Sequence, residues 1–447
     1  MVAAVVELPA GSRERAGVVN LVDAAAAAEL EGFLSGTVGT LEQSLNLFLT
    51  HYVEQYDFVY LFTDHPLETT TTAGRFRPVT QQAMPGTGLD YDFDIPGYRS
   101  NGKTRGALAI NFTPGGYGPL THEIMHYWGA FLSRDDFGFG VGLDASYASH
   151  WGFAGFRGIL GGFDAETLRC ETPSGAVPPS CTAESNGRFR YRVGSFNTAG
   201  NDVEVLAPLE LYLMGLLPAS ELPETIPVFV NGQRLSETYD SATNTIAVEA
   251  DGINLVESAA IIAKHGEVRL LPPAERAFST AFVVISATPA TDSVLDEIGE
   301  RAKNHAGKPA NLAFSGPPFP AITGGRATME TTLGPRRAAD APAPPIRVPR
   351  SCDLLEQDCR ADSTCHYVSF VTTCGLTRGG TRDEPCSLPA DCAPGLGCSQ
   401  NQAGDVRACE PYCNPDPSAA NACGTQCPWF YLVDAEDNVL GGLCMVE

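Results

Sequence analysis

The run Thr121-His122-Glu123-Ile124-Met125-His126-Tyr127-Trp128-Gly129 places two histidines four residues apart with a glutamate directly after the first. On a helix four residues make about one turn, so both imidazoles project from one face and can bind a single Zn²⁺ through ring nitrogens. Glu123 stands beside them. Its carboxylate can take a proton from a zinc-coordinated water, whose pKa the metal lowers toward neutrality, and return it to the leaving amine. With eight histidines in 447 residues, such a triplet arises by chance in roughly one chain per hundred. If His122 and His126 were merely packing groups of an amphipathic helix, Glu123 would face the same cleft without a use.

A catalytic zinc needs a third protein ligand and one open position. The sequence follows the metzincin pattern His-Glu-x-x-His-x-x-Gly-x-x-His through Gly129, but the place of the last histidine is taken by Leu132. The next histidine is His150, in Ser149-His150-Trp151-Gly152, and it is the favoured third ligand. Because carboxylates also ligate zinc, Asp144 is the next candidate, followed by Asp135, Asp136 and the later acids Glu166 and Glu210. A donor near the developing oxyanion is also required. Tyr147, Tyr127 and Tyr212 are the phenols in range, and the sequence does not rank them.

Taken together, His122–Gly129, His150-Trp151 and Ala207-Pro208-Leu209-Glu210-Leu211-Tyr212-Leu213-Met214-Gly215 resemble a largely uncharacterised group of secreted bacterial zincin-like zinc metallopeptidases. The resemblance covers about residues 40–335 and leaves the C-terminal tail outside. It implies a zincin-like α+β catalytic domain with a mixed sheet and an active-site helix, a Zn²⁺ cofactor, and a protein or peptide substrate. It also implies that Met214 belongs to a turn packed beneath the metal. The packing alternative is that Leu-Tyr-Leu-Met is simply core.

The elements that must hold these groups are readable in outline. Phe58–Phe62 and Ala107–Phe112 are short β-prone runs, the second stopped by Pro114-Gly115-Gly116. Pro119 suits the first turn of a helix carrying Leu120 to about Leu132. Upstream, Asn20–Ser35 is Ala-rich and helix-like. Thr40-Leu41-Glu42-Gln43 has the form of a capping box before a helix ending near Gln55. Downstream, Asn254–Lys264 reads as a helix ended by Gly266, Ala281–Ser286 as a buried strand, and Asp292–His305 as a helix between Thr291 and Gly307. Between Cys170 and Asn201 a long polar loop is expected. Asp90-x-Asp92-x-Asp94 reads as a polar turn, since Ile95 stands where a calcium-binding EF-hand loop needs Gly.

Of the 14 cysteines, Cys170 and Cys181 lie mid-chain and twelve fall between Cys352 and Cys444. That density marks a small region held by disulfides, and hence an oxidising compartment. A zinc ribbon would need Cys-x2-Cys pairs, and there are none. Six bridges fit the tail, and Cys170 with Cys181 would close a loop. The connectivity cannot be read from spacing. Arg336 to Arg350 is Pro-rich and reads as a semi-rigid linker. The expected domains are therefore 1–335 (catalytic), 336–350 (linker) and 351–447 (cysteine-rich), the tail having room for two small modules.

The balance of 29 basic against 53 acidic residues gives a net charge of −24, which repels polyanions and excludes nucleic acid as a partner. No stretch approaches the roughly 18 apolar residues of a membrane span. Val2–Val6 is too short to be a signal-peptide core, so a secreted location rests on the cysteines, with the chain read as a mature or truncated start. The leading expectation is a secreted zinc endopeptidase with His122, His126 and His150 as ligands and Glu123 as general base. One rival is an inactive zincin-like surface or adhesion protein with a structural zinc and a partner-binding Cys-rich tail. Another is zinc-dependent hydrolysis of a non-peptide amide.

Overall fold

A computed structural model of the chain describes residues 6–68, 70, 72–94, 97–129, 131–132, 137–139, 150–197, 205–314 and 316–346. In the tail it describes 352–354, 356–357, 359, 363–368, 371–377, 379–381, 384–386, 391–400, 407–413, 431–433 and 439–443. The fold is mixed α+β, mostly sheet, with a disulfide-rich C-terminal region. It packs as two units. One comprises Met1–Val79, Gly86–Gly88 and Gly97–Arg347, and the other Thr80–Pro85, Leu89–Pro96 and Val348–Glu447.

In chain order the strands of the first unit's two larger sheets are β1 (Arg13–Arg15), β2 (Val18–Val22), β3 (Phe58–Phe62), β4 (Gly74–Pro78), β5 (Gly106–Ile110), β6 (Gly162–Cys170), β7 (Phe189–Asn197), β8 (Gln233–Asp240), β9 (Thr245–Ala250), β10 (Ala277–Ser286) and β11 (Thr328–Glu330). The helices of six residues or more are α1 (Ala24–Ser35), α2 (Glu42–His51), α3 (Leu120–Met125), α4 (Pro208–Leu213), α5 (Ser258–His265) and α6 (Asp292–His305) among the described residues.

The main sheet runs β1-β2-β10-β3-β5-β4, with β11 pairing in parallel beside the first residues of β10. Strands β2, β10, β3 and β5 are parallel, and β1 and β4 close the two edges antiparallel. Phe58–Phe62 and Gly106–Ile110 are buried at every position, as strands covered on both faces must be. A second sheet, β8-β9-β7-β6, is antiparallel throughout and carries its own aromatic core around Phe163, Tyr191 and Phe229.

Several elements differ from the sequence expectation for identifiable reasons. Asn20–Ser35 is not one helix: Val18–Val22 pairs with β10 and β1, and Asp23 caps α1 by accepting from the Ala25 and Ala26 N–H groups. The capping box at Thr40 does not form. Glu29 of α1 instead accepts from the Gln43 and Ser44 N–H groups at the start of α2, which ends at His51 rather than near Gln55. Helix α5 begins only at Ser258, because Gly252–Glu257 is a strand paired with Thr225–Val230. Between Cys170 and Asn201, β7 interrupts the expected loop. Helix α6 has the expected bounds, with the Thr291 hydroxyl accepting from the Val294 N–H.

Arg336 bridges to Tyr52, the Arg337 N–H donates to the His51 carbonyl, and Ile346 bridges to Arg99. The Pro-rich stretch is thus laid along the first unit as far as residue 346.

In the second unit, Cys352–Cys365 and Cys359–Cys374 knit the hairpin Thr364–Val368/Val371–Gly375. Cys386–Cys398 and Cys392–Cys409 knit the hairpin Leu396–Gln400/Arg407–Cys413. Both pairs interlace first-to-third and second-to-fourth, so the tail contains a repeated connectivity that the uneven spacings conceal. Cys413, Cys423, Cys427 and Cys444 lie outside the residues whose side chains are described. The acidic run Asp90–Asp94 does not form a separate turn: Tyr91 bridges to Gly375, and the Leu376 N–H donates to the Asp90 carbonyl.

Candidate metal centre

Strand β5 ends at Ile110, and the chain turns through Gly115 and Gly118, both at positive φ, into α3 with Pro119 as N-cap. The helix is short. It stops at Met125, and the chain continues as a turn in which the Tyr127, Trp128 and Gly129 N–H groups donate to the Ile124 and Met125 carbonyls. Tyr127 and Trp128 present their edges to Phe58 (5.7 and 5.8 Å), and the Arg105 guanidinium lies over Tyr127. This aromatic anchor ends the helix and corrects the expected extension to Leu132, which is buried. Gly129 is not in the left-handed region. It is needed because a Cβ there would collide with Leu160 Cδ1. Its small size admits the loop that follows His150.

His122, His126 and His150 bring their ring nitrogens together within 4.8 Å of one another. Ring centroids are 5.0 Å apart for His122/His126, 5.2 Å for His122/His150 and 5.0 Å for His126/His150. The Nε2 atoms of His122 and His150 are 3.2 Å apart. Two imidazoles bound tetrahedrally at the usual Zn–N length have nitrogens about 3.3 Å apart, so this edge already fits, and no other pair need close by more than about 1.5 Å. The His122 tautomer is fixed. Its Nδ1 lies 2.8 Å from the Ile159 carbonyl, which can only accept, so Nδ1 carries the proton and Nε2 offers its lone pair to the site. Burial first, and the neighbouring His122 and His150 second, push His126 well below the ordinary histidine range and keep its ring neutral. Neutral imidazoles are what a metal requires. Among the described residues the other groups with ligand-like spacing are cysteines, and all six are in disulfides.

Glu123 is buried beneath the edge strand β4. A Cβ on Gly74 would stand 3.0 Å from its Oε1, so glycine there leaves room for the carboxylate. Burial raises its carboxyl to about 8, while the Phe76 backbone N–H and the Arg75 guanidinium pull the other way. Adjacent positive charge at a bound metal would add to the second effect.

The remaining sequence candidates fall elsewhere. Glu210 is not a ligand: its Oε1 accepts from Trp151 Nε1 and the Leu160 N–H (both 3.0 Å). Its Oε2 accepts from the Ile159 N–H (3.0 Å) and the Ala207 N–H (3.1 Å). Glu166 is exposed on β6. Tyr212 is buried with its hydroxyl accepting from the Val268 N–H, and Tyr127 is packed against Phe58 and Arg105. Asp135, Asp136, Asp144 and Tyr147 lie outside the described residues. Met214 is buried at the C-cap of α4, and the side chain of that segment joined to the His150 loop is that of Glu210.

No protein-family model, curated protein or solved structure matches the chain. The site must therefore be read from its own chemistry. The contributions that sequence reasoning missed are the Ile159 carbonyl and the Phe76 N–H, which are backbone groups without a residue signature. The four-donor cradle of Glu210 had one available signal, Pro at the first and Glu at the third position of α4.

Proposed function

We propose that this chain is a zinc-dependent peptidase with His122, His126 and His150 as metal ligands and Glu123 as general base. The observation that carries the reading is the convergence of three imidazole nitrogens, one of them from the short helix that also carries the buried Glu123 and one from that helix's C-cap. Zinc held there would polarise a substrate carbonyl and lower the pKa of water at the site. His122 is oriented for ligation by its bond to the Ile159 carbonyl. Glu123, steadied by the Phe76 N–H, would accept the proton of the attacking water at a carboxylate oxygen. It would then deliver that proton to the departing amine nitrogen.

A peptide substrate is favoured because β4 ends the sheet and Glu123 lies against it. An extended chain laid along that outer edge would pass the carboxylate. An extracellular location is supported by five disulfides, which persist in oxidising compartments. No helix among the described residues is long and apolar enough to cross a membrane.

The test is Glu123→Gln in the full chain. The variant should retain zinc and lose about 10²- to 10⁴-fold in cleavage of a peptide library. Turnover equal to the unmodified protein would reject Glu123 as the base. Stoichiometric zinc with no hydrolysis in either protein would favour a structural ion instead.

A further inference from the structure

His150 follows the turn after α3 by more than twenty residues, so something other than helix geometry must deliver its ring to the other two. We propose that Glu210 is the positioning residue of this centre: it clamps the loop 151–160 to the start of α4 and so fixes both His150 and the partner of His122. This rests on the reading of the three histidines as metal ligands.

The bonds run in the required directions. Trp151, the neighbour of His150, is fully buried and donates its indole N–H to Glu210 Oε1. Ile159, whose carbonyl holds His122 Nδ1, donates its own N–H to Oε2. Leu160 donates to Oε1, and the Leu160 carbonyl accepts from the Trp151 N–H, closing the loop on itself. Both ends of the loop therefore meet on one carboxylate. Gly158 makes the approach possible, since a Cβ there would lie 2.5 Å from Glu210 Oε1. The fourth donor, the Ala207 N–H, ties the carboxylate to the first turn of its own helix.

Four donors fill the four lone-pair directions of a carboxylate. Glutamine at this position is consequently not conservative, because its NH₂ would face two of those N–H groups. Partners outside the ligand shell commonly change metal affinity by 10–100-fold.

The experiment compares the full-length protein with Glu210→Gln, His150→Ala and the double variant, using Zn²⁺ affinity by chelator competition and the visible spectrum of the Co²⁺-loaded protein. Glu210→Gln should weaken Zn²⁺ binding about 10- to 100-fold. The double variant should lose far less than the product of the two single losses, because both act on one loop. At saturating cobalt the Glu210→Gln spectrum should differ from that of the unmodified protein, which a purely stabilising role would not produce.

Unchanged affinity in a folded Glu210→Gln protein, multiplicative losses, or an identical saturated spectrum would each overturn the proposal. If Glu210→Gln does not fold, Trp151→Phe, which removes the indole N–H donor and leaves a smaller aromatic ring, should show the same changes at smaller size, and no change there overturns the proposal. An unmodified protein that binds neither ion would instead remove the metal reading itself, which keeps the two failures distinct.

Discussion

His305, at the end of α6, is fully buried between Tyr117 and Tyr60. Tyr60 donates its hydroxyl to the Leu120 carbonyl at 2.8 Å, so its oxygen accepts from His305 Nε2 at 3.2 Å. His305 Nδ1 is then the acceptor for the Tyr117 hydroxyl at 2.8 Å. The chain Tyr117–His305–Tyr60–Leu120 thus braces the first turn of the helix that carries His122, and it requires a neutral imidazole. Burial pushes His305 from 6.5 down to about 3. Because the folded value lies below the unfolded one, only the unfolded chain takes up a proton between them. Stability is therefore complete above pH 6.5 and is lost as pH falls toward 3. The loss is about 1.4 kcal/mol per pH unit, or about 2 kcal/mol between pH 7 and pH 5. Urea denaturation of the unmodified protein and of His305→Gln at pH 7, 6 and 5 isolates this contribution, since other groups titrate in both. The variant should be less stable at pH 7 and should lack about 2 kcal/mol of the acid dependence. Parallel pH profiles for the two proteins would refute the assignment of a neutral, bracing histidine.

Three further outcomes follow from other parts of the structure. Gly129→Ala, which pushes a Cβ into Leu160, should cost about 1–3 kcal/mol in denaturation and weaken zinc binding, whereas a neutral effect on both would show that Leu160 has room to move. Replacing Cys170 and Cys181, whose bridge closes an 11-residue separation, should cost about 2–3 kcal/mol by the chain-entropy account while leaving zinc affinity unchanged; a loss of zinc would contradict the separateness of that loop from the centre. Removing zinc with a chelator should abolish peptide hydrolysis, and re-addition should restore it. Activity that persists without the ion would remove metal from the reaction.

The parts of the fold that could be read in advance are those where local pattern and tertiary demand coincide. Phe58–Phe62 has the local pattern of a strand and is one in the sheet, because a five-residue apolar run suits a strand covered on both faces. Thr291 and Gly307 bracket α6 by capping chemistry that needs no neighbour. Misreadings arose where a distant element overrode the local signal. Val18–Val22 becomes a strand because β10 offers it a partner more than two hundred residues away, and Glu29 of the preceding helix displaces the box at Thr40. The helix through His126 ends early because Tyr127 and Trp128 turn onto Phe58 and Arg105.

The site shows the same division. The meeting of His122 with His126 was legible from types at fixed spacing, and that of His150 from the scarcity of alternatives. The clamp through Glu210 was not, since a glutamate that accepts four N–H bonds looks in sequence like one more possible ligand. The paired cysteines of the tail could be counted but not joined, because spacing does not encode which strands lie side by side.

In the proposed centre three imidazoles and no other protein group hold one zinc, leaving a position open to substrate. X-ray absorption at the zinc edge on the purified full-length protein tests it directly, together with metal quantification. One zinc per chain is expected, with about three nitrogen ligands near 2.0 Å showing imidazole scattering, and one further light-atom ligand lost on binding a chelating inhibitor. A folded protein without stoichiometric zinc, or a shell closed by a fourth protein side chain that no inhibitor displaces, would contradict it.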